Sequence, residues 1–156
     1  MDKIKVSFIC HGNICRSPMA EFIFKKLVLD AGLSDKFYID SKAVSYEETG
    51  NPVYPPARAE LKRHGISCDG KLAVTVTKQD YDNYDYFIYM DDWNYRLLTR
   101  IFSNGVENKV YKLLSFTGSN RDVSDPWYSG DFATAYNDIY DGCKAFLSYL
   151  KNKFNI

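Results

Sequence analysis

The chain has 156 residues, 46% of them hydrophobic, which is the size of one compact domain around one core, spanning residues 1–156. Its 20 lysines and arginines balance 20 aspartates and glutamates, so no global field draws it to nucleic acid or to an anionic membrane, and any anion binding must be local. The first residues lack the apolar stretch of a signal peptide and no segment approaches the roughly 18 apolar residues of a bilayer span. A soluble cytoplasmic protein is expected, with neither nucleic acid nor membrane among its partners.

The four cysteines, Cys10, Cys15, Cys68 and Cys143, are spaced neither as a disulfide framework nor as the paired ligands of a zinc site. Only His11 and His64 add nitrogen ligands. No metal and no cofactor is expected, so catalysis must rest on side chains alone.

Taken in chain order, Ile4, Val6, Phe8 and Cys10 alternate as a first strand does. After the segment Cys10 to Ser17, the apolar set Ala20, Ile23, Phe24 and Leu27 has helical spacing, with Ser17 as its N-cap and Pro18 just inside. A second strand fits Phe37 to Ser41, and Pro55-Pro56 opens a helix that Gly65 closes after His64. Thr77 and Asp80 signal a short helical turn before a third strand from Tyr84 to Met90, and Asp92 caps a helix through Ile101. Val110 to Leu114 is a fourth strand, and the stripe from Phe132 to Leu150 marks a closing helix.

This β-α-β-α alternation predicts an α/β fold, a four-stranded parallel sheet with helices on both faces. Two stretches without periodicity, Ser45 to Pro56 and Ser115 to Asp131, both follow strands. In open α/β sheets such segments line the ligand crevice at the carboxyl ends of the strands, so they are expected to meet the Cys10 to Ser17 loop there.

That loop reads Cys10-His11-Gly12-Asn13-Ile14-Cys15-Arg16-Ser17, a cysteine and an arginine five residues apart at a strand-to-helix junction. A loop of this length can wrap a tetrahedral oxyanion with backbone N–H groups from His11 to Arg16, while the following helix presents its positive end. Gly12 and Asn13 tolerate the left-handed or cramped backbone that wrapping needs. Arg16 adds a planar fork for two phosphate oxygens. The same field favours the thiolate of Cys10, and Ser17 can hydrogen-bond its sulfur. A thiolate is a strong nucleophile toward phosphorus, so one site serves both binding and attack. Spacing alone would leave Cys10 as a packing residue; its placement between an alternating strand and a capped helix argues for catalysis.

The run from Cys10 to Glu21, C-H-G-N-I-C-R-S-P-M-A-E, resembles the signature of the low-molecular-weight protein tyrosine phosphatases. Asp40-Ser41, Arg63-His64-Gly65-Ile66, Met90-Asp91 and Asp125-Pro126 recur in order in that family, so the resemblance covers essentially the whole chain. It implies a flavodoxin-like fold with the phosphate loop after the first strand, and phosphate monoester hydrolysis through a phosphocysteine. Cys10, Arg16 and Asp125 would be its catalytic residues, with Asp125 as general acid. The resemblance further implies that Asn13 and Ser41 hold the loop in shape and that oxidised Cys10 can form a disulfide with Cys15. Phosphotyrosine proteins or peptides are the expected partners, and phosphate, vanadate or other oxyanions the expected inhibitors.

The chain departs from the family in two places. A histidine that many relatives carry after the His-Gly-Ile element is absent, its place falling near Gly70, so support for Asn13 must be completed differently. On the substrate rim, Trp127 and Tyr128 face Tyr46 and Glu47, where many relatives have an aromatic from the first variable loop; Glu47 would disfavour acidic residues flanking a phosphotyrosine. Arsenate reductases share the cysteine loop but use a further cysteine pair that is absent here. Protein-arginine phosphatases are the closer rival, and there Ile14 is decisive: the tyrosine phosphatases carry isoleucine at this position and the arginine phosphatases threonine.

Overall fold

Backbone pleating sends successive side chains of a strand to opposite faces, and in β1 (Ile4–Cys10) both faces are buried from Val6 onward. Val6, Phe8 and Cys10 enter one core cluster and Ile9 a second, on the other side of the sheet. A strand buried on both faces belongs in the middle of a covered parallel sheet. The computed structural model, which describes residues 2–103 and 106–156, has that arrangement. β2 (Phe37–Ala43), β3 (Tyr86–Tyr89) and β4 (Val110–Lys112) complete a sheet of order β2-β1-β3-β4, with every pair parallel. Val6 sits opposite Ile39 on one side and Tyr86 on the other.

The larger cluster lies under α1 (Arg16–Asp30), α2 (Pro55–Arg63) and α6 (Phe132–Phe154). Phe24 meets Phe8 edge-on at 5.5 Å and stacks on Phe146 at 5.2 Å, contacts that add about 0.5–1.5 kcal/mol each beyond burial of area. The smaller cluster joins Ile9 and Phe87 to Leu98 and Phe102 of α4 (Asp92–Phe102), with Tyr81 of α3 (Asp80–Asn83) packed against it. A 3₁₀ turn, Leu113–Thr117, follows β4 and docks on α6. A Cβ at Gly142 would lie 2.5 Å from Leu113 Cγ, so only glycine permits this approach.

Several boundaries differ from the sequence expectation for local physical reasons. α1 is entered from Cys15 and its first residue is Arg16, because the Ser17 hydroxyl is engaged by Asn13 and Cys10 and does not cap. Pro18 remains harmless in the first turn, whose N–H groups have no partner within the helix. Asp91, rather than Asp92, caps α4: it accepts from Asn94 N at 2.8 Å while the Asn94 side chain accepts from Asp91 N, a reciprocal capping box. β4 stops at Lys112, and beyond the 3₁₀ turn the stretch toward Asp131 holds a helical turn, α5 (Pro126–Ser129), capped by Asp125. Among the described residues, no helix is long and apolar enough to cross a membrane.

Candidate active site

Because all four strands run parallel, their carboxyl ends share one edge, and the Cys10 to Ser17 loop leaves β1 there. Asn13 takes a left-handed conformation, φ 62°, one of the few residue types besides glycine that does so readily. Gly12 serves the loop differently. A Cβ there would come within 3.3 Å of Glu48 Cγ, so its bare backbone lets Glu48 lie over the loop. Ile14 O accepts from Tyr54 N at 2.9 Å, and Val44 N and Ser45 N donate to Cys10 O and His11 O at 3.1 and 3.2 Å. The Ser45 to Pro56 stretch is thereby laid along one side of the loop.

Cys10 is a buried, free thiol with its Sγ 3.0 Å from Ser17 Oγ. The thiol donates in this arrangement, and Ser17 donates once Cys10 is a thiolate. Arg16 is almost fully buried; its Nη1 donates to Asp91 Oδ2 at 2.6 Å and to Val123 O at 2.8 Å, leaving Nη2 3.4 Å from Asp125 Oδ2. Burial opposes its charge, but Cys10, Asp91 and Asp125 together hold its pKa above the ordinary arginine value. The guanidinium is therefore fixed in orientation before any substrate arrives.

Asp125 reaches the site from the opposite loop. Its Oδ1 accepts from Trp127 N at 3.0 Å, which leaves Oδ2 turned toward Arg16. The loop is anchored by Val123 N on Met90 O at 3.0 Å, by Lys112 Nζ on Asp122 at 2.6 Å and Asn120 O at 2.7 Å, and by a two-point Arg121–Asp138 pair at 3.0 and 2.8 Å.

These groups share one cleft. Its floor is Cys10, Gly12, Ile14, Cys15 and Arg16, one wall is His11, Glu47 and Glu48, and the other is Asp125, Trp127 and Tyr128. His11 Nε2 lies 3.2 Å from Glu47 Oε2 in an exposed pair, a geometry worth little in stability. Trp127 is half exposed and packs on Tyr54 at 4.8 Å. Tyr46 lies outside the lining and is exposed. Asn13, Ser17 and Ser41 lie beneath the floor, each buried. Burial, followed by the neighbouring Cys10 and Asp125, pushes the Cys15 thiol well above the ordinary range.

Sequence reasoning missed Asp91, Glu48 and Tyr54 as parts of the site. Asp91 carried a usable signal, an acidic residue directly after the third strand at the ligand-binding edge. Glu48 and Tyr54 stand in a segment whose path is set by backbone hydrogen bonds to the loop, which no local pattern announces.

The comparisons with known proteins agree with one another. A model of the low molecular weight phosphotyrosine protein phosphatase family matches residues 5–155. The low molecular weight protein-tyrosine-phosphatase YfkJ of Bacillus subtilis is 38% identical over 96% of this chain and 97% of its own length, and its crystal structure superposes with a TM-score of 0.94 over 98% of both chains. The human low molecular weight phosphotyrosine protein phosphatase is 40% identical over 91% of this chain and 92% of its own. A Drosophila arginine phosphatase structure is 32% identical, covers 95% of this chain and 98% of its own, and has a TM-score of 0.86. With a thiol, an arginine and an aspartate converging on one cleft and homology running end to end, the chain belongs to the low molecular weight phosphotyrosine protein phosphatase family and is an enzyme of that class.

Proposed function

We propose that this enzyme removes phosphate from phosphotyrosine in proteins and peptides through a phosphocysteine on Cys10. The observation that carries the reading is the Arg16 fork, locked by Asp91 beside a Cys10 thiol that has its own hydroxyl partner, with Asp125 Oδ2 3.4 Å from the fork in the same cleft. The Cys10 thiolate attacks phosphorus as the P–O ester bond breaks, and the protonated carboxyl of Asp125 gives its proton to the departing phenolic oxygen. The resulting carboxylate then takes a proton from water as that water attacks phosphorus. The P–S bond breaks, and phosphate leaves with the thiolate restored. Arg16 and the loop N–H groups stabilise the charge on the equatorial oxygens throughout, and free phosphate or vanadate competes for the same groups. Four free cysteines fit a reducing compartment such as the cytoplasm.

The substrate class rests on Ile14 and Trp127. Ile14 lines the floor and offers bulk without a hydrogen bond, while Trp127 stands on the facing wall, so the entrance suits a flat phenyl ring. The likeness to an arginine phosphatase structure makes phosphoarginine the competing substrate. Initial rates on a phosphotyrosine peptide, a phosphoserine peptide and phosphoarginine, with rapid quench to trap phosphate on Cys10, test both parts. The highest kcat/KM is expected on phosphotyrosine. A preference for phosphoarginine would overturn the substrate class and leave the thiol chemistry standing; absence of phosphocysteine in every case would overturn the mechanism.

Cys15 completes the reading as a resolving thiol. Peroxide converts the Cys10 thiolate to a sulfenic acid, and the Cys15 thiol displaces water from it to close a disulfide. Mass spectrometry of peroxide-inactivated protein should show a Cys10–Cys15 bridge, two hydrogens lighter than the dithiol; overoxidised Cys10 without that bridge would refute the role.

A further inference from the structure

Beneath the floor of the cleft, one hydrogen-bonded chain runs from a buried ion pair to the reactive sulfur. Asn13 Nδ2 donates to Ser17 Oγ at 2.8 Å and to Ser41 Oγ at 2.9 Å, and Asn13 Oδ1 accepts from Val74 N at 3.1 Å. Ser41 Oγ donates to Glu21 Oε1 at 2.6 Å, and Glu21 is itself buried. Lys71, its side chain 11% exposed, donates from Nζ to Ser41 O at 2.8 Å and stands 3.7 Å from Glu21 Oε1.

The direction of each bond follows from the end of the chain. A carboxylate only accepts, so the Ser41 hydroxyl donates to Glu21 and, its one proton engaged, can then only accept from Asn13. With the amide so oriented, its second N–H goes to Ser17, whose lone pair is used and whose own proton is free for Cys10. A reversal at Ser41 would let Asn13 present its oxygen instead, and Ser17 would turn its proton away from the sulfur.

We propose that Lys71 is a positioning residue that fixes the direction of this chain and thereby aims the Ser17 hydroxyl at Cys10; this rests on the assignment of Cys10 as nucleophile. It acts in two ways. Its ammonium stands beside the buried Glu21 and holds that carboxylate where Ser41 donates to it, a role shared with Lys25, which donates to Glu21 Oε2 at 2.6 Å but is 43% exposed. Its bond to Ser41 O also pins the segment that delivers Val74 N to Asn13, a segment joined to β2 by Ala43 N on Val74 O at 2.7 Å. The charged groups facing Lys71 are Glu21 from α1 and Asp40 and Lys42 from β2; burial lowers its pKa while Glu21 and Asp40 oppose that shift.

Lys71→Met keeps the length and removes the charge. Its kcat on an aryl phosphate and its rate of Cys10 alkylation by iodoacetamide, a neutral probe, should both fall about tenfold, while inhibition by phosphate changes less than about twofold. Lys71→Arg should restore both rates. Since Lys71 acts through Ser17, adding Lys71→Met to Ser17→Ala should cost nothing beyond Ser17→Ala alone. A structural role would instead weaken phosphate binding and thermal stability in parallel, and its losses would add. Additive losses, or wild-type kcat and alkylation in Lys71→Met, overturn the proposal; should that variant not fold, Glu21→Gln takes its place in the same cycle. Wild-type protein that iodoacetamide does not inactivate at Cys10 would refute the nucleophile assignment, a result distinct from equal inactivation of wild type and variant.

Discussion

The floor and the rim of the cleft are made in opposite ways. On and beneath the floor, Cys10, Asn13, Ser17 and Ser41 are each at most 3% exposed, and their polar groups bond to one another and to Glu21. At the rim, Tyr128 is 86% exposed and Trp127 50%, and Glu47, itself exposed, pairs with the partly exposed His11. A saturated, buried network has one arrangement, because each broken bond leaves a buried polar group unsatisfied at a cost of about 1–3 kcal/mol. An exposed side chain loses little by moving. Chemistry is thus placed where geometry is over-determined, and discrimination among substrates where a substitution leaves the fold intact.

Asp125 tests whether the comparison holds at its seam, since it stands on the rim loop but points into the floor. Asp125→Asn keeps the cap on Trp127 N and removes the transferable proton, so turnover of esters with poor leaving groups should drop by about 10² to 10⁴. Activated aryl phosphates should lose far less. Equal losses on both, measured as kcat on a series of phenols of rising pKa, would make Asp125 a structural rim residue.

A smaller effect is expected from the rim proper. Trp127→Ala should raise KM for aryl phosphates by up to about tenfold, the worth of one aromatic contact, with kcat nearly unchanged. A fall in kcat as large as that of Asp125→Asn would mean that the tryptophan holds the acid loop in place, and the division between floor and rim would fail.

What could be seen in the sequence follows the same division. The sheet, its order of alternation with helices, and the loop from Cys10 to Ser17 were legible because they depend on local periodicity and on contiguous residues. The convergence of the two aperiodic stretches was legible only as a consequence of parallel topology. Asp91 on Arg16, Glu48 over Gly12 and Lys71 on Ser41 were not, since each joins residues distant in the chain through one side chain. Ser17 shows the limit of a local rule. Its residue type and position suit an N-cap, but Asn13 and Cys10 of the same loop engage its hydroxyl, and the helix begins two residues earlier, at Arg16 instead of Pro18.

The glycine contact between Gly142 and Leu113 matters beyond packing. The 3₁₀ turn carrying Leu113 and the helix carrying Gly142 are the two banks from which the acid loop departs and to which it returns. Bringing the ends of a loop together costs chain entropy that grows only with the logarithm of its length, and here a core contact contributes to closing it. The loop's own anchors, Val123 N on Met90 O and the Arg121–Asp138 pair, then act on ends that already lie close. The reach of Asp125 is thus set partly from behind, by the absence of a methyl group in the interior.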